Sequence, residues 1–250
     1  MGIVLITGGS RGLGKNMAQH LAQKGHDIII TYHSKKDEAE KAVAEVTATG
    51  RKGAALQLDV SDSKSFGDFA AMVAKTLQEK FGCKDFDALV NNAGTGVHAG
   101  FMETTEEQFD QMVNIHFKST FFLSQKLLPL IKDGGRILNV SSGLARFSMP
   151  GYAAYGSMKG GIETLTRYMA KEMAPRKISV NVLAPGAIET DFGGGAVRDN
   201  KAVNDMIASS TALGRVGLPD DIGALVSALL SDDCRWVNGQ RIEAAGGIFL

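Results

Sequence analysis

Short β-branched runs alternate with longer helical patterns along the whole chain, and that alternation restricts the fold more than any single motif does. GIVLIT (2–7), DIIITY (27–32), AALQL (54–58), DALVN (87–91), RILNV (136–140), ISVNV (178–182) and QRIEA (240–244) read as strands. Between them, segments near 13–24, 36–49, 63–80, 105–131, 152–173 and 219–231 carry helical spacing. Three have start signals: Ser61 or Asp62 before the third, Thr104 or Thr105 with Glu106 and Glu107 before the fourth, and Pro219 with Asp220 and Asp221 before the last. Strands that alternate with helices predict an α/β fold whose parallel sheet is covered on both faces. No repeat, low-complexity segment or linker interrupts the pattern, so residues 1–250 read as one domain. The exception is the stretch from Pro185 to Gly214, with Gly193, Gly194 and Gly195 in a row, which reads as an irregular lid or binding loop over about 187–214.

Charge excludes some classes of partner. Lys plus Arg number 27 and Asp plus Glu 27, so no electrostatic case exists for nucleic acid or an anionic membrane. Cys83 and Cys234 stand far apart, and His20, His26, His33, His98 and His116 form no HxxxH pair, so neither a zinc site nor a disulfide framework is expected. The first residues run straight into a strand pattern without a charged leader or an apolar span of membrane length, and Ile6 stands where a myristoylation signal wants Ser or Thr. The expected compartment is the cytoplasm.

The turn GGSRGLGKN (8–16) joins the first strand to the first helix and fits three motifs. Gly8-x-Ser10-x-Gly12 matches a hydrolase nucleophile elbow, but no histidine follows His116 to serve it. Gly9-x4-Gly14-Lys15 nearly matches a phosphate-binding P-loop, but Asn16 replaces the magnesium-holding Ser or Thr, and the fourth strand ends in Asn91 rather than an acid. Thr7-Gly8-x3-Gly12-x-Gly14 reads as a dinucleotide turn, whose glycines let backbone N–H groups approach a pyrophosphate at the positive end of a helix.

Further along, Asp59-Val60 closes the third strand, where an acid can accept from an adenine amino group or can simply cap the segment at Ser61. Asn91-Asn92-Ala93-Gly94 ends the fourth strand, beside the expected crossover point of the sheet, although Asn-rich turns also occur without function. Asn114 lies among Met112, Val113, Ile115 and Phe117, as a buried hydrogen-bonding group or a surface position.

The chemistry is expected between Asn139 and Lys159. Ser142 follows the run Arg136 to Val140, at the exposed end of a strand, and thirteen residues later comes Tyr155 with Lys159 at i+4. On a helix those two share a face, and a nearby cation favours the phenolate and brings a pKa of about 10 toward neutrality. Tyr-x-x-x-Lys alone is a weak pattern, since Tyr32 and Lys36 repeat it. Only the second copy lies on a helical pattern with a hydroxyl residue at a strand end upstream.

Taken in order, TGGSRGLG, Asp59-Val60, NNAG, Asn114, Ser142 with Tyr155 and Lys159, Pro185-Gly186 with Thr190, and the closing VNGQRIEAAGG resemble the short-chain dehydrogenase/reductase family over nearly the whole chain. The resemblance implies a Rossmann-type doubly wound sheet of about seven strands with helices on both faces. Thr7, Gly8, Ser10, Arg11, Gly12, Leu13 and Gly14 would form the pyrophosphate turn, Asp59 and Val60 would hold the adenine, and Asn91, Ala93 and Gly94 the nicotinamide-side ribose. Pro185, Gly186, Ile188 and Thr190 would frame the nicotinamide. Tyr155 would be the general acid, Ser142 a hydrogen-bond donor to the carbonyl oxygen, Lys159 the cation that lowers the tyrosine pKa and binds ribose, and Asn114 the anchor of a proton-relaying water. Only the family's spacing selects Ser142 over Ser141.

Charge argues for NADP(H) over NAD(H). An NAD-binding site of this kind wants an acid at the end of the second strand, and here Tyr32 is followed by His33, Ser34, Lys35 and Lys36, with Arg11 adding a cation in the glycine turn. Thr95, His98, Leu144, Phe147, Met149, Tyr152 and Phe192 would line a mostly apolar pocket for a small-molecule carbonyl. The chain is similar to 3-oxoacyl-[acyl-carrier-protein] reductases, which implies a 3-oxoacyl thioester and an acyl carrier protein met by cations such as Lys132, Arg176 and Lys177; Arg146 could read a substrate carboxylate or pair with an acid across a subunit contact. Another ketone, sugar or steroid, or a non-catalytic nucleotide sensor, remains open on the same fold. Apolar faces on 105–131 and 152–173 and the pair Gly160-Gly161, with the resemblance, suggest a homotetramer.

Overall fold

Strand β1 (Ile3–Ile6) sends Ile3 and Leu5 into one hydrophobic cluster and Val4 and Ile6 into another, so a four-residue run is buried on both faces. β2 (Asp27–Tyr32) and β4 (Phe86–Asn91) divide their side chains in the same way, Ile29 and Leu89 to the first cluster and Ile28, Ile30, Ala88 and Val90 to the second. Each such side chain removed from water contributes about 1.5–3 kcal/mol, which is why these strands read as unbroken apolar runs. The computed structural model describes residues 2–250. With β3 (Gly53–Gln57), β5 (Ile131–Val140), β6 (Ser179–Pro185) and β7 (Arg241–Ala244), the described residues form a seven-stranded sheet in the order β3-β2-β1-β4-β5-β6-β7. Every neighbouring pair is parallel.

Helices cover both faces. α1 (Gly12–Gln23), α2 (Lys36–Thr47) and α9 (Pro219–Leu229) pack Met17, Leu21, Ala42, Val46, Ile222 and Val226 into the cluster of Val4 and Ile6. α3 (Phe66–Thr76), α5 (Ser119–Leu127) and α6 (Ala153–Glu172) supply Phe66, Val73, Leu123, Leu127, Leu165 and Met169 to the opposite cluster. The expected caps are present. Asp62 accepts from the Lys64 N–H, Thr105 exchanges bonds with Gln108 in a capping box, and Asp221 accepts from the Leu218 N–H.

Three expectations change. The fourth helix is not continuous: α4 (Glu106–Met112) passes into a π-helical stretch (Val113–Lys118) before α5. The insert near 187–214 is not irregular throughout, since it contains the short helix α7 (Ala196–Asp199) and α8 (Lys201–Ser209), the latter capped by Asn200. β5 begins at Ile131, where the fourth helix was expected to end, and its register against β4 slips between Phe86 and Ala88. The sheet order reverses between β1 and β4, so the turns after those strands flank the crevice where such folds bind nucleotides.

Candidate active site

The glycine turn is held from three sides. Gly8 has φ +66° and donates its N–H to Thr31 Oγ1 at 3.0 Å, while Gly9 donates to the Thr31 carbonyl at 2.9 Å. Thr7, 2% exposed, accepts at Oγ1 from the N–H groups of Asn92 and Ala93, each at 3.0 Å. Asn92 Nδ2 in turn donates to the carbonyls of Thr7 and Gly8 at 2.9 and 3.2 Å. A Cβ at Gly14 would collide with the Gly8 carbonyl, and one at Gly8 would lie 2.9 Å from Ala93 Cα. The turns after β1 and β4 are thus one interlocked unit, and Asn92, which sequence reasoning did not single out, is its tie. Gly12 (φ +54°) faces Thr190, 3.7 Å from where its Cβ would be, so the Pro185–Thr190 segment returns over the turn. Gly186 packs on Ala245, and Ile188 is buried beside Leu183 in the α1-side cluster.

The corner at the end of β2 carries no acid. His33 and Ser34 are exposed there, and the bonds from Gly8 and Gly9 to Thr31 bring the Arg11 turn to the same corner. Arg11 is exposed at the head of α1, and no ion pair or hydrogen bond of its guanidinium is found among the described residues. Asp59 comes up to this corner, its Oδ2 3.5 Å from His33 Nε2, and its Oδ1 accepts from the Ser61 N–H and hydroxyl at 2.8 and 2.7 Å. Partial burial raises its pKa, but the Ser61 bonds and His33 outweigh that and hold it below the usual value. Asp59 therefore serves as the cap of the following turn, with Val60 packed against the core behind it.

Asn91 does not point into the crevice. Its Nδ2 donates to Ser124 Oγ and Asn139 Oδ1, both at 2.9 Å, and Asn139, wholly buried, passes the chain to Thr166 Oγ1 at 2.9 Å. β4, β5, α5 and α6 are stapled together by this network directly beneath the catalytic candidates, whereas Gly94 stays at the surface of the turn.

Ser142, Tyr155 and Lys159 converge at the carboxyl end of β5. The two adjacent serines divide the work: Ser141 is buried and donates to Glu163 Oε1 at 2.8 Å, while Ser142 starts the turn above it and accepts from the Leu144 N–H at 3.2 Å. Burial pushes the Tyr155 phenol up to about 12, against a hydrogen bond from Ser142 that pulls it back. The expected lowering by Lys159 is not what the structure gives. Lys159, 4% exposed, donates from Nζ to the Val140 carbonyl at 2.7 Å and lies 5.5 Å from the centre of the Tyr155 ring, and burial takes its own pKa down to about 7. The structure thus holds a protonated phenol, the form a general acid needs.

Asn114 is half-buried in the π-helical stretch, no hydrogen bond of its side chain is found among the described residues, and its carbonyl accepts the Ser119 N–H. The side chain from that stretch that reaches Tyr155 is His116, two positions on and so on the other side of the helix, whose ring meets the phenol edge-on with centroids 5.1 Å apart. A lone histidine in an apolar helical pattern was the available signal, and helical spacing alone could not say that its ring meets Tyr155. The second Tyr-x-x-x-Lys copy stays apart, with Lys36 paired to Glu40 at 3.6 Å on α2.

The family model described as enoyl-(acyl carrier protein) reductase matches residues 8–248. The chain is a short-chain dehydrogenase/reductase. Among curated relatives it is 36% identical over 256 residues to tetrahydroxynaphthalene reductase PfmaG of Pestalotiopsis fici, covering 98% of this chain and 90% of that one. Among solved structures it resembles the promiscuous reductase LugOII, which catalyses keto-reduction in lugdunomycin biosynthesis, at 36% identity, TM-score 0.93, and 99% and 98% coverage. The angucycline C-6 ketoreductase LanV with bound NADP gives 32% identity, TM-score 0.93, and 99% and 95% coverage.

In this dehydrogenase/reductase the mouth of the site is aromatic. Phe192 tilts over Tyr155 with centroids 5.7 Å apart and lies against Gly96, while His98 and Tyr152 meet edge-on at 5.0 Å. Phe147 covers Gly143 and stacks edge-on with Phe249 at 4.9 Å. Arg146 is not free to read a substrate: its guanidinium forks onto Glu243 at 2.9 Å and donates to the carbonyl of Ile248. Gly193, Gly194 and Gly195 all have positive φ (61°, 73° and 80°), a run only glycine accommodates easily, and it turns the chain from Phe192 into α7.

Proposed function

We propose that this protein reduces the ketone of a flat, largely apolar ring system with NADPH. The observation that carries this is the aromatic mouth of the site, with Phe192 tilted over Tyr155 and His98 edge-on to Tyr152, which suits a planar substrate better than a flexible acyl chain or a sugar. The names of PfmaG, LugOII and LanV support it.

Bound NADPH supplies the hydride. Thr7, Gly8, Ser10, Arg11, Gly12, Leu13 and Gly14 hold the pyrophosphate turn, a cradle that a Cβ at Gly8 or Gly14 would fill. Arg11, His33 and Ser34 would meet the 2′-phosphate, Asp59 and Val60 would border the adenine, Ala93 and Gly94, with Asn91 supporting them from beneath, would shape the ribose side, and Pro185, Gly186, Ile188 and Thr190 would wall the nicotinamide. Tyr155 gives its proton to the carbonyl oxygen, and Ser142 donates to the same oxygen as negative charge develops there. Lys159, held at the Val140 carbonyl in this structure, would offer its ammonium to the ribose of the bound dinucleotide and favour the phenolate.

A 3-oxoacyl thioester on an acyl carrier protein is the second reading, supported by the description of the family model. Lys132, Arg176 and Lys177 argue against it: they lie where β5 and β6 begin, at the opposite end of the strands from Ser142. Lys132 is also paired with Asp87 at 3.1 Å and Arg176 with Asp133 at 2.7 Å. Exposed Phe121, Phe122 and Tyr168 on α5 and α6 support assembly through those helices, as in a homotetramer.

The test is NADPH oxidation with a fused-ring aromatic ketone such as a tetralone, set beside an acetoacetyl thioester. A higher kcat/KM for the ring ketone is expected. Turnover of the thioester alone would move the carrier-protein reading ahead.

A further inference from the structure

His116 has a role that the reaction just described does not use. It is 1% exposed, and its ring is fixed on one side by Nε2, 2.7 Å from the Thr95 carbonyl. A carbonyl only accepts, so Nε2 carries the ring proton and Nδ1 presents a lone pair. That nitrogen is buried and has no hydrogen-bond partner.

The surroundings decide what the lone pair can take. From α6 the ring faces the Tyr155 phenol, edge-on, and the Lys159 ammonium; from the turn after β4 it faces Gly94 and the Thr95 carbonyl; its own carbonyl accepts from Thr120 at 2.7 Å. A Cβ at Gly94 would lie 2.8 Å from Cε1 and 3.3 Å from Nδ1, so Nδ1 borders the turn assigned to the nicotinamide-side ribose. Burial first, and then the Lys159 charge, drive the imidazole pKa down to about 3, so the ring does not become a cation to escape its missing bond. A buried acceptor is normally satisfied, and the one here lies in a helical stretch of the π type that recurs at functional positions.

We propose that His116 is a positioning residue of the reductase site, an imidazole that holds the Thr95 carbonyl through Nε2 and accepts at Nδ1 one O–H donor. The donor is a held water or a ribose hydroxyl of the bound dinucleotide. The inference rests on the roles given to Tyr155, Lys159 and the Gly94 turn in the proposed function.

The first measurement needs no turnover: nitrogen-15 histidine spectra of the whole protein, with His116 assigned through His116→Phe. The Nε2–H tautomer is expected, with no titration between about pH 5 and 9 and a shift of Nδ1 on adding NADPH. A protonated Nδ1, or a ring that titrates in that range, overturns the proposal whatever the substrate proves to be.

The second measurement uses His116→Phe, which keeps a ring beside Tyr155, and reads NADPH affinity by fluorescence and the pH profile of kcat. If the ribose supplies the donor, NADPH binding weakens about tenfold with an unmoved profile. If a water supplies it, affinity holds and the profile and solvent isotope effect shift. A variant that matches wild type in affinity, profile and isotope effect overturns the proposal. NADPH that binds wild type with no ketone turned over would instead count against the assignment of the reaction.

Discussion

Lys159 gives its ammonium to the main-chain carbonyl of Val140, 2.7 Å away, and not to the phenol of Tyr155. The i+4 spacing does put both residues on one face of α6, as the sequence implies, but sharing a face sets only the opportunity. Val140 is the last residue of β5, so its carbonyl competes for the lysine from the neighbouring strand end.

The consequence is a pH-dependent stability. Burial lowers the Lys159 pKa from 10.5 to about 7, so between those values the folded chain binds fewer protons than the unfolded one. Stability of the cofactor-free protein therefore rises as pH goes from about 7 to about 10.5, and the cost of the buried charge is fully felt below that window. Urea unfolding at several pH values should show this rise, and Lys159→Met should flatten it. An equal slope in both proteins would mean that the ammonium is better solvated than the structure indicates.

Tyr155→Phe is expected to lower kcat by about 10²–10⁴-fold while NADPH still binds, because it removes the proton donor and little else. Stopped-flow turnover and cofactor fluorescence read the two effects separately. Retention of wild-type turnover would transfer the acid role to another group.

Arg11 lies at the corner where β2 ends without an acid. Arg11→Glu should cut NADPH affinity by about tenfold or more and raise the relative affinity for NADH, since one charge-assisted contact is replaced by repulsion. Titration with both nucleotides checks this, and an unchanged preference would place the 2′-phosphate elsewhere.

Asn139 is wholly buried and links Asn91 to Thr166. Asn139→Leu should cost about 3 kcal/mol by stranding polar partners in the core, with a lower Tm and a misplaced α6. Full retention of Tm would show that water takes over the network.

Sequence by itself determined the architecture. An unbroken apolar run such as Ile3–Ile6 has only one economical solution, burial on both faces, and helices spaced between such runs must cover a parallel sheet. The glycine turn was legible for the same local reason, since Gly8 and Gly14 occupy places where a Cβ has no room. Direction was not legible. Asn91 ends β4 and Asp59 stands two residues past β3, yet their side chains turn to Asn139 and Ser61, because a polar group is claimed by whichever partner the packed neighbours bring within reach. His116 meets Tyr155 because the π-helical stretch and the packing of α6 set the rotation of that helix. The protonation of Tyr155 and Lys159 likewise depends on how completely other strands and helices exclude water from them, a property of the assembled interior that no residue spacing encodes.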